Sequence, residues 1–273
     1  MKLEFNSPKV MSIINATPDS FFASSRTLGE EDIARRVLNA ISEGADILDV
    51  GGYSSRPGAD EVAECEEIER VCRAVKIIRE IDKYIPISID TFRSKVAERV
   101  LVDFGEVIIN DISSSELDSA MLDVVSNAKV PYIAMHMRGT PKNMQTKCEY
   151  DDIVSDVCEF FDKKLETFAK KGIFQVILDP GFGFAKTQEQ NYQLLSGMQT
   201  LKSFGKPVLA GISRKSMIYK LLDVTPEQAL TGTIALNWQA LSCGADILRV
   251  HDTKETAQII KIFNYYESLN RSK

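Results

Sequence analysis

Eight short apolar runs, rich in β-branched residues, recur along the chain, and each ends in a polar residue or a turn. Their ends read Ile13-Ile14-Asn15, Ile47-Leu48-Asp49, Ile87-Ser88-Ile89-Asp90, Ile108-Ile109-Asn110-Asp111, Ile133-Ala134-Met135-His136, Val176-Ile177-Leu178-Asp179, Val208-Leu209-Ala210-Gly211 and Ile247-Leu248-Arg249-Val250-His251. Between them lie longer stretches with apolar residues at i, i+3, i+4 spacing, which predict helices over 33–43, 64–82, 94–104, 117–127, 151–171, 191–203, 226–243 and 253–269. Gly44, Gly105, Gly172, Gly205 and Gly244 fall just past helical stretches, where a left-handed cap is wanted, and Pro86, Pro131 and Pro207 introduce strands. Strands and helices alternating in this way predict a (β/α)8 barrel. A doubly wound sheet is the alternative, but no Gly-rich dinucleotide turn follows the first strand. Polar groups at the exits of buried strands cost desolvation energy, so a fold that gathers many at one end has a use for them there.

The 273 residues are enough for one α/β barrel or two smaller domains. No linker or low-complexity stretch divides them, and a single domain over 1–273 is expected. A net charge of −6 leaves no nucleic-acid footprint, so an anion would need a local basic cluster. The five cysteines are odd in number and form no CxxC pair, which argues against a disulfide framework or a structural zinc. With no signal-peptide core at the start and no apolar run of membrane length, a cytoplasmic protein is expected.

A small internal repeat links two of the strands. Gly44-Ala-Asp-Ile-Leu-Asp-Val50 and Gly244-Ala-Asp-Ile-Leu-Arg-Val250 differ at one position. The plain explanation is one helix-to-strand turn used twice. Even so, the single difference sets Asp49 against Arg249. The stretches 17–31, 51–61 and 137–150 are long for loops after strands, and in a barrel they belong to the C-terminal face that carries active sites.

Several residues at these exits have chemistry to offer. Arg249 and His251, two apart on the last strand, point to one side, and such a pair suits a phosphate or diphosphate. Ser213-Arg214-Lys215-Ser216 follows the seventh strand and opens a helix, where backbone N–H groups favour anions, and a Lys and a Ser there can hold a carboxylate or phosphate; the alternative is a capping Ser beside two solvated cations. Asp90, Asn110 and Asp179 could together read the edge of a flat heterocycle bearing amino and N–H groups. Taken singly, Asp90 could cap a helix, Asn110 could be a satisfied turn residue, and Asp179 could only start its Asp-Pro-Gly turn. Asn15 offers an amide oxygen for Mg²⁺, or an Asx turn around Pro18. Arg56, on a Gly/Pro-rich loop, could clamp an anion or solvate the loop. Phe21 and Phe22 could form a lid or anchor their loop. His136, between two methionines, reads as a packed, hydrogen-bonded histidine.

Taken together, these motifs resemble the dihydropteroate synthases. The likeness rests on Asn15-Ala-Thr-Pro-Asp-Ser-Phe21, Gly51-Gly-Tyr-Ser-Ser-Arg-Pro-Gly-Ala59, Ser88-Ile-Asp-Thr91, Ile109-Asn-Asp-Ile112, Met135-His-Met137, Leu178-Asp-Pro-Gly-Phe-Gly-Phe-Ala-Lys186, Gly211-Ile-Ser-Arg-Lys-Ser216 and Arg249-Val-His-Asp252. It implies a (β/α)8 barrel that joins 6-hydroxymethyl-7,8-dihydropterin diphosphate to 4-aminobenzoate, releasing diphosphate and forming 7,8-dihydropteroate, a folate precursor. By the same resemblance Asp90, Asn110, Met135, Asp179, Gly183, Phe184, Lys215 and Arg249 match the pterin pocket. Asn15, Arg249 and His251 match the diphosphate site, with Mg²⁺ at Asn15. Phe22, Ser55, Arg56, Pro57, Lys215 and Ser216 match the 4-aminobenzoate site. Asp90, Lys215, Arg249 and His251 are the implied catalytic group, and a homodimer is implied as well.

The chain departs from the common pattern in the first loop, where Phe22-Ala-Ser-Ser-Arg26 stands in place of a frequent Ser-Asp-Gly continuation. Two other functions share the pocket. Pterin-binding methyltransferase domains use the same Asp/Asn/Asp set but need no diphosphate clamp, which Arg56, Lys215, Arg249 and His251 would supply here. A non-catalytic pterin binder would have less use for the intact set of charged positions.

Overall fold

A computed structural model of the chain describes residues 3–16, 26–53 and 61–270. The eight expected strands form: β1 (Lys9–Asn15), β2 (Ile47–Gly51), β3 (Ile87–Asp90), β4 (Ile108–Asp111), β5 (Tyr132–Met135), β6 (Val176–Asp179), β7 (Leu209–Ala210) and β8 (Ile247–Val250). All pair in parallel, in the order β6-β5-β4-β3-β2-β1-β8-β7. A parallel bridge between Leu178 and Val208 brings β6 against the start of β7 and closes the ring. With β1 beside β8 and the ends joined, the architecture is a (β/α)8 barrel and not a doubly wound sheet.

Nine α-helices are described: α1 (Arg26–Ser42), α2 (Glu64–Ile81), α3 (Ser94–Phe104), α4 (Met121–Ala128), α5 (Ile153–Lys170), α6 (Gln188–Gly197), α7 (Ser216–Tyr219), α8 (Leu230–Ser242) and α9 (Thr253–Asn270). Four differ from expectation for visible reasons, α8 among them, which starts at Leu230 and not at 226 because Pro226–Gln228 form a separate 3-10 turn. The α1 helix begins earlier than 33, and Asp32 pairs with Arg36 one turn on, at 2.7 Å. The α4 helix begins later than 117 because Asp118 is committed elsewhere: its carboxylate accepts the backbone N–H groups of Ser94, at the start of α3, and of Ala120. The helix expected over 191–203 starts sooner, at a Thr187/Gln190 capping box, and turns into a 3-10 helix after Gly197. A side chain at Gly197 would strike Val154 of α5, so the break is where two helices pack closely.

All five expected glycine caps have positive φ. The repeat is also explained. Asp46 accepts the backbone N–H of Val10 at 2.9 Å, and its counterpart Asp246 accepts that of Val208 at 2.7 Å. Each copy therefore pins its own helix-to-strand turn to the chain of a neighbouring strand. No described helix is long and apolar enough to cross a membrane.

The barrel interior is built in layers by the two-residue period of its strands. Met11, Ile47, Ile108, Ile133, Ile177, Leu209 and Ile247 pack together as an apolar floor, with Leu3 and Phe5 against them. The alternate positions, among them Leu48, Val50, Ile89, Ile109, Ala134, Leu178 and Leu248, face the helices in the main core. One inward step above the floor stand Ile13, Asp49, Asp90, Asn110, Met135, Asp179, Gly211 and Arg249, one from or just after each strand. In the outer core Phe168 of α5 meets Tyr132 of β5 edge-on at 5.4 Å and is fully buried. Phe168→Ala is expected to cost about 3–5 kcal/mol of stability through lost burial and the cavity left behind, measured as a lower urea midpoint with the slope unchanged.

Candidate active site at the barrel mouth

The layer above the floor holds Asp90, Asn110, Asp179 and Arg249, four of the polar residues singled out in the sequence. Arg249 spans it. Its Nε donates to Asp49 Oδ2 and its Nη2 to Asp90 Oδ2, both at 2.6 Å. Asp49, fully buried, also lies 3.3 and 3.4 Å from Asn110 Nδ2 through its two oxygens. Asp90 therefore does not cap α3, whose N-terminal flank is Arg93 with no side-chain cap. Burial pushes the Asp90 carboxyl up to about 7, with Asp49, Glu67 and Asp179 adding to the rise and Arg249 opposing it. The same crowd of carboxylates raises Arg249 despite its burial.

Asp179 does start its turn, accepting the Gly181 N–H at 2.8 Å, but its carboxylate also lies within the electrostatic reach of Lys215 and Arg249. Burial raises this acid as well, against the pull of Lys215. Lys215 reaches over from the end of the β7 loop. Its ammonium donates to the Phe182 carbonyl and sits 4.7 Å from the centre of the Phe184 ring. Burial brings it down to about 8, with Asp179 holding the charged form. Gly183, at positive φ, leaves room for this stem, since a Cβ there would come 3.2 Å from Lys215 Cδ. Met135 packs with Ile112, Met137, Met144 and Ala185, and Phe184 lies against that cluster, so Met135 and Phe184 share one apolar wall.

Other expectations come out differently. The α7 helix is a single turn with no side-chain cap, so the macrodipole argument for an anion there is weak; what the segment delivers is the Lys215 side chain and the half-buried Ser216. Arg214 does not face the mouth. Its guanidinium is held by Asp252 and by the carbonyls of Pro226 and Glu227. Strand β8 ends at Val250, and His251 is exposed beyond it, its Nδ1 3.2 Å from Ser213 Oγ. Asn15, the last residue of β1, is exposed and pairs with Gly51 of β2. Phe22, Ser55, Arg56 and Pro57 lie outside the described residues.

Four residues whose bracing role the sequence did not show carry much of the site's support. Asp49 was visible only as the odd partner of Arg249 in the repeat. Glu67, fully buried on α2, accepts from Thr91 Oγ1 at 2.6 Å and Arg93 Nη1 at 2.7 Å, bracing the chain just past Asp90. Ser213, buried beneath His251, accepts its backbone N–H at 3.2 Å. Lys186, also buried, donates to the carbonyls of Gly181 and Phe184 and meets His136 Nδ1 at 3.0 Å. His136 is packed edge-on against Phe160, as its setting between methionines suggested, and is held down to about 2 by burial and the Lys186 charge. A polar residue at a strand exit draws notice in sequence; a lysine that ties a loop to itself does not.

This arrangement matches known proteins along nearly the whole chain. The family model described as pterin binding enzyme matches residues 11–251. The chain belongs to the dihydropteroate synthases. The dihydropteroate synthase of Synechocystis sp. is 42% identical over 257 residues, 93% of this chain and 88% of its own. That of Yersinia pestis, solved as a sulfonamide drug complex, superposes with a TM-score of 0.91 at 38% identity, covering 98% of this chain and 97% of its own. The Xanthomonas albilineans enzyme, solved with 4-aminobenzoic acid, gives 0.89 at 36% identity and covers 97% and 95%. A further structure of that enzyme holds 7,8-dihydropteroate. Membership makes the chain a transferase.

The loop that carries Gly183 and Phe184 depends on Gly181, where a side chain would drive into the His136 carbonyl and where φ is +72°. Gly181→Ala is expected to lower stability by ~2 kcal/mol or more, seen as a fall in melting temperature; an unchanged melting temperature would mean the loop relaxes freely.

Proposed function

We propose that this chain condenses 6-hydroxymethyl-7,8-dihydropterin diphosphate with 4-aminobenzoate, giving 7,8-dihydropteroate and diphosphate, at the ring of Asp90, Asn110, Asp179, Lys215 and Arg249. The observation that carries the reading is that these five converge on one barrel mouth, in a chain of this family. Asp90, Asn110 and Asp179 supply acceptors for the amino and N–H edge of a pterin. Lys215 supplies the donor, and Met135, Gly183 and Phe184 the flat apolar wall. Arg249, with His251 and Asn15, takes the diphosphate end.

The chemistry asks little of a base. The bond between the pterin methylene carbon and the diphosphate oxygen breaks, and both electrons leave with diphosphate. Positive charge develops on the methylene and is delocalised into the ring. An ionised Asp90 stabilises it from a site that excludes most water. The aniline nitrogen then donates its lone pair to the carbon and loses its extra proton to water. Because burial holds the Asp90 carboxyl near 7, this help fades as pH falls through that value.

A Mg²⁺ ion suits the diphosphate end. Among the described residues no group of three or more His, Cys, Asp or Glu side chains could hold a metal. Asn15 adds an exposed amide oxygen at the end of β1. One such protein oxygen, with phosphate oxygens and waters, is how a hard, reluctantly dehydrated cation binds alongside its substrate. When bound, Mg²⁺ would neutralise the leaving group. The 4-aminobenzoate site is proposed to include Lys215 and Ser216, with Phe22, Ser55, Arg56 and Pro57 from the two loops. We further propose a single domain over 1–273, a homodimer, and a cytoplasmic location, which five free cysteines suit.

Two measurements test this. Purified protein given both substrates and Mg²⁺ is expected to form 7,8-dihydropteroate, and to form none when either substrate is omitted or the metal is chelated; no product in the complete mixture sinks the reading. Light scattering is expected to return twice the mass of the chain. Ile262, Tyr265, Tyr266 and Leu269 leave α9 an exposed apolar side, and a monomer mass would reject the dimer.

A further inference from the structure

Asp49 has not been given a part in binding, yet it touches two of the residues that have. It is fully buried on the inward side of β2, flanked outward by Leu48 and Val50. Strand β1 separates it from β8, and β3 separates it from β4. The carboxylate nevertheless reaches both ways, to Arg249 Nε on β8 and to Asn110 Nδ2 on β4. The inward residue between Asp49 and Arg249 is Ile13, which offers no polar group of its own.

We infer that Asp49 is a positioning residue that fixes the polarity of Asn110 and the plane of Arg249, and so determines that the pocket reads an N–H edge. The inference rests on the pterin reading above. An amide presents either two donors or an acceptor, and only its NH₂ side can face a carboxylate. With Nδ2 turned to Asp49, Asn110 Oδ1 is turned away and acts as an acceptor. Asp90 and Asp179 are acceptors as well, so the three residues agree on a ligand edge made of donors. Without the charge at position 49 the Asn110 amide could turn over and present NH₂ groups to that edge.

The same carboxylate governs Arg249. Guanidinium has five N–H groups in a fixed plane. Asp49 occupies the one on Nε, and Asp90 takes one on Nη2. When Asp90 turns to a bound pterin, Asp49 remains, so the plane persists and the freed Nη2–H groups are available to an anion. Asp49 touches no substrate in this account.

The test uses the full chain and has a ligand-free arm. In ¹⁵N spectra the Arg249 Nε–H of the wild type is expected to exchange slowly and to lose that protection in Asp49→Asn. A freely exchanging Nε–H in the wild type overturns the inference, whether or not any pterin binds and whether or not the variant folds. Failure of the wild type to bind 6-hydroxymethyl-7,8-dihydropterin diphosphate by calorimetry would instead overturn the functional reading.

In the kinetic arm Asp49→Asn is expected to raise KM for the pterin substrate at least tenfold, with a smaller change in kcat, because orientation for binding is what is lost. Asn110→Asp alone would set two carboxylates face to face and weaken binding as well. The double variant Asp49→Asn with Asn110→Asp keeps the charge and reverses the donor, and is expected to recover much of kcat/KM. Additive losses in that cycle contradict the inference.

The pH profile gives an independent readout. Asp90 faces Asp49 from β2, Arg249 from β8, Glu67 from α2 and Asp179 from β6, with Lys215 beyond β7. Removing the Asp49 charge removes one of the influences that raise Asp90, so the acid limb of kcat/KM moves to lower pH in Asp49→Asn. An acid limb that stays in place, together with an unchanged KM, assigns Asp49 a purely structural role and rejects the proposal.

Discussion

The bridge of Arg249 between Asp49 and Asp90 is the interaction on which the barrel mouth depends. Three aspartates and an asparagine are gathered there with little water, and carboxylates so close together repel. A guanidinium that donates to two of them at 2.6 Å makes the layer tolerable. The bridge rests on the strand period. The floor of Ile47, Ile108, Ile177 and Ile247 faces inward, so the residues two places later must face inward too, directly above it. Those residues are Asp49, Asn110, Asp179 and Arg249. Strand β3 fits the same period with Ser88 below Asp90, and the Ser88 hydroxyl has no partner among the described residues.

Around this ring, a set of buried hydrogen bonds holds the loops that complete the site. Lys186 ties the turn after β6 to the exit of β5, Glu67 ties the exit of β3 to α2 through Thr91 and Arg93, and Ser213 ties the β7 loop to His251. None of the three needs to touch a ligand. Each satisfies a buried polar group and fixes a loop at the barrel mouth, which is how a rigid barrel presents variable chemistry at one end.

Much of this was legible in the chain. The strand ends were readable because apolar runs stop where polar residues begin, and the glycine caps because only glycine takes positive φ without strain. Asp90, Asn110, Asp179 and Arg249 were readable as one polar group because they sit at or near those strand ends. Other features were hidden. The helix after β7 looked like an anion site and proves to be a single turn, since helix length follows from packing more than from a Ser-Arg-Lys-Ser run. Arg214, which could have been a solvated cation, turns to Asp252. His251 was assigned to the strand of Arg249 and lies beyond its end.

Asp49 marks the division. The repeated heptapeptide shows that positions 49 and 249 differ in charge, and periodicity alone places both inward on a (β/α)8 barrel. Local sequence thus determined the eight strands, their inward faces and the family of the chain, because alternation and turn chemistry act over a few residues. Whether Arg249 would meet Asp49, and whether Asp49 would also hold Asn110, depended on how β1, β2, β3, β4 and β8 were laid side by side. Only the tertiary pairing of those strands decides that, since it brings residues separated by 61 and 200 positions in the chain within hydrogen-bonding distance.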